Sequence, residues 1–181
     1  DAGVCHVGEN YLQEALGKQD ALADLGLCWH FIGAVQSNKT RILAERFAWV
    51  HTVERLKIAR RLSAARPAEL PPLNLCVQVN LDAEPTKAGI APEAAAELVA
   101  AVAELPRVRM RGLMAIPAPR ADAAAQREGF AGLARLAASL PGLDVLSMGM
   151  SDDLEAAVAA GATHVRIGSA LFGPRGGGDR P

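Results

Sequence analysis

Three cysteines in 181 residues, Cys5, Cys28 and Cys76, lack CxxC spacing, and an odd count suits a reducing compartment better than a disulfide framework. All three are expected to be buried or idle thiols. No apolar run approaches the roughly 20 residues that span a bilayer, and the start has no basic segment leading into an apolar one. That combination predicts a cytoplasmic protein that engages no membrane. The formal net charge is −1, so the basic excess that non-specific nucleic-acid binders rely on is missing. Nucleic acid is therefore not an expected partner.

What is present is a globular composition, 50% hydrophobic and 22% charged, long enough for one sizeable core. Strand-like apolar runs cover Val4–Gly8, Trp29–Val35, Val50–Val53, Leu73–Asn80, Met110–Ile116, Val145–Met148 and His164–Ile167. Helical patterns separate them. Tyr11–Leu25 sets Leu12, Leu16, Leu22 and Leu25 near one face, and Pro92–Leu105 sets Leu98, Val102 and Leu105 likewise. Asp152–Ala160 reads as a short helix closed by Gly161.

Alternating strands and helices predict an α/β fold with a parallel sheet, because each parallel strand needs a crossover back to the same end. Seven strands fall one short of a (β/α)₈ barrel. The sheet is thus either open and doubly wound or a barrel lacking its first strand. Breakers mark the loops: Arg66–Pro72 is proline-rich, and Pro117-Ala118-Pro119 stops a strand. A single domain is expected over residues 1–173, with 174–181 a flexible tail. Abundant alanine and a preference for arginine over lysine suggest a GC-rich bacterial source.

Chemistry collects at strand ends. Ser147-Met148-Gly149-Met150-Ser151-Asp152-Asp153 reads as a strand running into a turn and a helix, with Gly149 allowing close approach of a ligand and Ser151 or Asp152 capping the helix. Val165-Arg166-Ile167-Gly168-Ser169 repeats the design one unit later, so two turns can grip one anion. A guanidinium at Arg166, inside an apolar strand, needs an acceptor: an acidic neighbour, or an atom of a bound cofactor. Asn10, His30 and Ser37 lie at the same sheet edge; singly they read as caps or a satisfied core histidine, together as a pocket.

Gly8-Glu9-Asn10-Tyr11, Trp29-His30-Phe31-Ile32-Gly33, Gln36-Ser37-Asn38-Lys39, Gly112-Leu113-Met114-Ala115-Ile116, Ser147–Asp153 and Val165–Ser169 together resemble the pyridoxal-phosphate homeostasis family, over nearly the whole chain. The resemblance implies a (β/α)₈ TIM-like barrel of the alanine racemase N-terminal type. It implies a carrier and buffer of pyridoxal 5′-phosphate with no catalytic residues. Met150, Ser151, Gly168 and Ser169 would hold the phosphate, with Ser147 beside them; Arg166 would face the pyridine nitrogen; Asn10 and Met114 would line the ring. Apo forms of pyridoxal-phosphate enzymes would be the recipients.

Members of that family hold the cofactor as an imine on a lysine of the first barrel strand, some 25 residues before the Gly-Glu-Asn-Tyr motif. That strand and lysine have no counterpart among these residues, and a barrel without them has two unpaired edges open to self-association. Lys39 and Lys87 lie at the ligand end but read as surface cations, and Lys18 and Lys57 sit on helical patterns. Two alternatives stand beside the carrier. One is an amino-acid racemase or decarboxylase, for which the sole tyrosine, Tyr11, is a poor second acid. The other is a barrel that binds a different phosphorylated metabolite, or nothing.

Overall fold

The computed structural model describes residues 3–82, 88–118 and 122–173. The sequence-predicted tail 174–181, Lys87 and Pro119 lie outside them. Seven strands form one sheet: β1 (His6–Glu9), β2 (Cys28–Phe31), β3 (Trp49–Val53), β4 (Leu73–Gln78), β5 (Val108–Met114), β6 (Val145–Met150) and β7 (His164–Arg166). They lie in chain order, each parallel to the next. The helices are α1 (Leu12–Ala21), α2 (Thr40–Arg46), α3 (Leu56–Ala65), α4 (Ala95–Ala103), α5 (Ala123–Ala138), α6 (Leu154–Ala159) and α7 (Ser169–Phe172).

The sheet is rolled. Laid flat, β3 and β7 would be four strand spacings, roughly 19 Å, apart. Instead the His164 ring on β7 lies 5.1 Å from that of Trp49 and 5.9 Å from that of His51, both on β3. Among the described residues β1 and β7 are not paired with each other, so the wall is a nearly closed barrel. The doubly wound alternative is ruled out by these contacts across the interior.

Strand alternation divides the side chains between two environments. Trp29, Phe31, Val50, Leu73, Leu75, Val77, Leu113 and Met148 point outward into the main core beneath the helices. Trp49, Cys76, Met114 and Val145 form a second, smaller cluster. On α3, Ile58, Ala59, Leu62 and Ser63 are buried, the stripe expected of a helix lying on a sheet. The β5–β6 approach is close enough that a side chain at Gly112 would meet the Val145 backbone oxygen at 1.8 Å.

Several local expectations change. Leu22 and Leu25 are exposed because α1 ends at Ala21 and a 3-10 turn, Ala23–Leu25, breaks its period; Ala15 and Gln19 are buried instead. The second strand stops at Phe31, not Val35, and the fourth at Gln78, beyond which only a bridge between Val79 and Ile90 continues. Gly161, at φ +91°, does close α6: its N–H bonds to Val158 O and that of Ala162 to Ala157 O. The proline-rich link hides a buried cation. Arg66 donates to Ala44 O and Phe47 O at the end of α2, and to Pro71 O.

Candidate functional site

All four histidines of the chain come together, His30, His51 and His164 within the barrel and His6 reaching His30 from an exposed position. Parallel register sets His6 beside Cys28 and His30 beside Trp49, so residues on three strands meet. His6 Nδ1 lies 2.8 Å from His30 Nε2, His30 Nδ1 2.9 Å from His51 Nε2, and His51 Nδ1 2.8 Å from Ser147 Oγ. Arg166 completes the row, donating through Nη1 to Ser147 Oγ at 3.0 Å and through Nη2 to Ala115 O at 3.0 Å.

Burial sets the charge of this row. It pushes His30 down to about 3 and His51 down to about 2, with His6 and His164 adding repulsion at His30, and His30, His164 and Arg166 at His51. Both rings are neutral at pH 7, each with one donor and one acceptor. The bonds can therefore run in one direction or the other, with every proton shifted together. Burial also lowers Arg166, to about 10, which leaves it cationic at neutral pH.

At the amino end, Arg111 plugs the barrel. It grips both oxygens of Asp144 at 2.8 and 2.7 Å, donates to Asn74 Oδ1 at 3.0 Å, and lies 4.8 Å over the Trp49 ring. At the carboxyl end, the two predicted turns do meet. Ser169 Oγ donates to Ser151 Oγ at 3.2 Å, and the Ala170 N–H reaches the same oxygen at 3.4 Å. Neither Ser151 nor Asp152 caps α6: its flanking residue is Asp153, whose carboxylate accepts from the Met150 N–H at 2.6 Å.

Gly149 serves packing, contrary to expectation. It sits at φ +91°, and a side chain there would strike Ala157 Cβ at 2.4 Å, so its bareness lets α6 press on β6. Met114 is fully buried beside Trp49 and Cys76, while Met150 is 42% exposed, and Gly168 and Ser169 are also exposed. Asn10 follows β1, with its carbonyl against Gly33. The acidic neighbour offered as one acceptor for Arg166 is not within hydrogen-bond reach among the described residues; a hydroxyl and a backbone carbonyl receive it, and Asp153 acts on it only through charge.

Of the three thiols expected to be buried or idle, Cys76 is buried, Cys28 half-buried and Cys5 exposed; burial raises Cys76 to about 12. Lys18 is held by Glu9 at 2.7 Å, and Lys57 is exposed on α3. A cleft of about 490 Å³ beside Ser151 is lined by Asp152, Asp153 and Glu155 on the acidic side and by Arg127 as its one cation, so its balance of charge is unfavourable to an anion. The convergence of His6, His30, His51 and His164 was missed by sequence reasoning. Its signal was the pair Cys28-x-His30 and Trp49-x-His51, since residues two apart on a strand share a face.

A donor set of one cation, two hydroxyls and backbone N–H groups at the mouth of a parallel barrel fits a phosphorylated ring. The comparisons agree with it. The alanine racemase N-terminal domain family matches residues 1–176. The pyridoxal phosphate homeostasis protein of Pseudomonas aeruginosa is 65% identical over 175 residues, which cover 96% of this chain and 76% of that one. Its counterpart in Escherichia coli K12 is 53% identical over 182 residues, covering 97% and 78%. PipY of Synechococcus elongatus PCC7942, solved with PLP bound, superposes with a TM-score of 0.86 at 40% identity, over 95% of this chain and 83% of that one. Alanine racemase from Corynebacterium glutamicum shares the fold alone, at 18% identity and a TM-score of 0.66. The chain belongs to the alanine racemase N-terminal domain family and, within it, to the pyridoxal phosphate homeostasis proteins.

Proposed function

We propose that this protein binds pyridoxal 5′-phosphate at the carboxyl end of the barrel and carries it in the cytoplasm without turning it over. The observation that carries this reading is Arg166, a half-buried guanidinium at the barrel mouth whose hydrogen bonds, among the described residues, go to Ser147 and a backbone carbonyl and to no carboxylate. Ser151 and Ser169, together with Met150 and Gly168, are assigned to the phosphate, and Asn10 and Met114 to the ring. The 65% identity to a relative named for pyridoxal phosphate homeostasis supports the assignment, as does the likeness to PipY, whose structure holds PLP.

The cofactor supplies, when bound, an electron-withdrawing ring whose strength grows when its nitrogen is protonated. Arg166 can only donate, so placed against that nitrogen it would favour the unprotonated form and a weak electron sink. This favours storage over turnover. Neutral His51 fixes Ser147, and Ser147 fixes Arg166, so the cation is aimed before the ligand arrives. A two-base racemase would need a second acid, and the sole tyrosine, Tyr11, is 52% exposed next to α1. Apo enzymes that use the cofactor are the proposed recipients.

Absorbance titration of the purified protein with pyridoxal 5′-phosphate, followed by borohydride and intact-mass measurement, tests the reading. Saturable binding that weakens about tenfold in Arg166→Met and in a Ser151→Ala, Ser169→Ala double variant is expected. Binding indifferent to both variants, or no binding, overturns it. Equal competition by an unrelated phosphorylated metabolite would favour a general phosphate site instead.

A further inference from the structure

We propose that the amino-terminal half of the barrel holds a second site, for a zinc-class metal ion, formed by Cys28, His6 and His30. Their ligand atoms all lie within 4.8 Å of one another, on two paired strands, with His6 in register opposite Cys28. The site does not depend on the cofactor reading, because none of its three ligands is assigned to the cofactor.

Geometry selects the metal class. Tetrahedral zinc, with bonds of about 2.05 Å to nitrogen and 2.3 Å to sulfur, requires nitrogen–sulfur edges of about 3.6 Å and nitrogen–nitrogen edges of about 3.3 Å. Cys28 Sγ is 3.6 Å from His30 Nε2, already at the required edge. His6 Nδ1 is 2.8 Å from the same nitrogen, a hydrogen-bond spacing that must open by about half an ångström to admit an ion. His6 is the exposed member of the three, so it is the ligand able to move. One thiolate and two imidazoles suit zinc or copper and discriminate against magnesium and calcium, which take oxygen. A fourth position is left for water.

The surroundings are those of a supported ligand. Metal on His30 Nε2 requires that nitrogen to be bare, which puts the ring proton on Nδ1, 2.9 Å from His51 Nε2. His51 then carries its own proton on Nδ1 and donates it to Ser147 Oγ. An ion at the base thus selects one of the two directions open to the histidine row. Both imidazoles stay neutral as the ion binds, the proton between them moving to a ring nitrogen that faces away from the metal, so the one proton released to solvent is that of Cys28 as its thiolate forms.

Cobalt(II) titration of the reduced, intact protein reads the site directly. One ion per chain is expected, with the intense visible bands of a tetrahedral centre and a near-ultraviolet sulfur-to-cobalt band. Cys28→Ser should abolish the sulfur band and weaken zinc binding, measured against a chelating dye, at least tenfold. His6→Gln, on the exposed strand, should weaken it similarly with an unchanged thermal unfolding midpoint. Cys5→Ser and Cys76→Ser should retain the sulfur band. A weak octahedral spectrum, a sulfur band that survives Cys28→Ser, or zinc affinity unchanged in His6→Gln overturns the proposal; if Cys28→Ser fails to fold, His6→Gln decides.

Discussion

The two faces of the same sheet are built from different chemistry. On β4, Leu73, Leu75 and Val77 face the helices and are fully buried among aliphatic neighbours, whereas Asn74 and Cys76 face the interior beside Arg111, Trp49 and Met114. The outer face is stabilised by removal of apolar surface from water, which is indifferent to pH and orientation. The inner face depends on hydrogen bonds that must each find a partner, and on rings that must stay neutral. One face stores stability and the other stores specificity.

Acid should break the comparison most strongly. His30 and His51 are held near 3 and 2 in the folded state and return to about 6.5 when unfolded, so the unfolded chain binds more protons throughout the interval. Stability is therefore fully present above about 6.5 and is lost as pH falls through the interval down to about 3, at roughly 1.4 kcal/mol per pH unit for each ring. Between pH 6.5 and 4.5 the pair should cost on the order of 5 kcal/mol. Urea midpoints measured across that range should fall steadily, and His51→Gln should roughly halve the slope.

Neighbouring positions on one strand sharpen it. Leu75→Ala on the outer face should lose about 3 kcal/mol, from transfer and cavity together. Cys76→Ala on the inner face should lose about 1 kcal/mol. Both are fully buried, so the difference in urea unfolding reads the faces and not exposure. Ser147→Ala leaves a buried His51 nitrogen and one Arg166 donor without their shared oxygen, and about 2 kcal/mol should be lost. Asp122→Ala removes the cap of α5, where the carboxylate accepts from Ala125 N at 2.7 Å. About 1 kcal/mol is expected in thermal unfolding, with no change in the acid profile, since this cap touches neither face.

Much of the architecture was legible. Short apolar runs at regular spacing gave all seven strands, and Gly161 marked the end of α6, because local propensity and turn chemistry act over a few residues. The interior was harder. A barrel interior and a helix-covered face both alternate with period two, so Leu75 and Cys76 look like partners until closure separates them. His6, His30, His51 and His164 are scattered along the chain, and only parallel register makes them neighbours. Arg66 was hidden for a similar reason: its acceptors, Ala44 O and Phe47 O, belong to the preceding helix–strand unit. At the site, the meeting of Ser151 and Ser169 was foreseeable from two turns one unit apart. The functions of Gly149 and Asp153 were not, because they depend on how closely α6 lies to β6.

The two tryptophans fall one on each side of the sheet: Trp29 in the layer under the helices, Trp49 stacked at 5.2 Å and 10° on the His30 ring. An imidazole quenches indole emission when it gains a proton, so Trp49 is a built-in optical reporter of the interior and Trp29 of the exterior layer. Single-tryptophan variants would turn the protein into two fluorimeters sharing one wall. If acid loosens the inside first, Trp49 emission changes while Trp29 still reports a dry, folded environment, and the order of the two signals gives the order in which the layers yield.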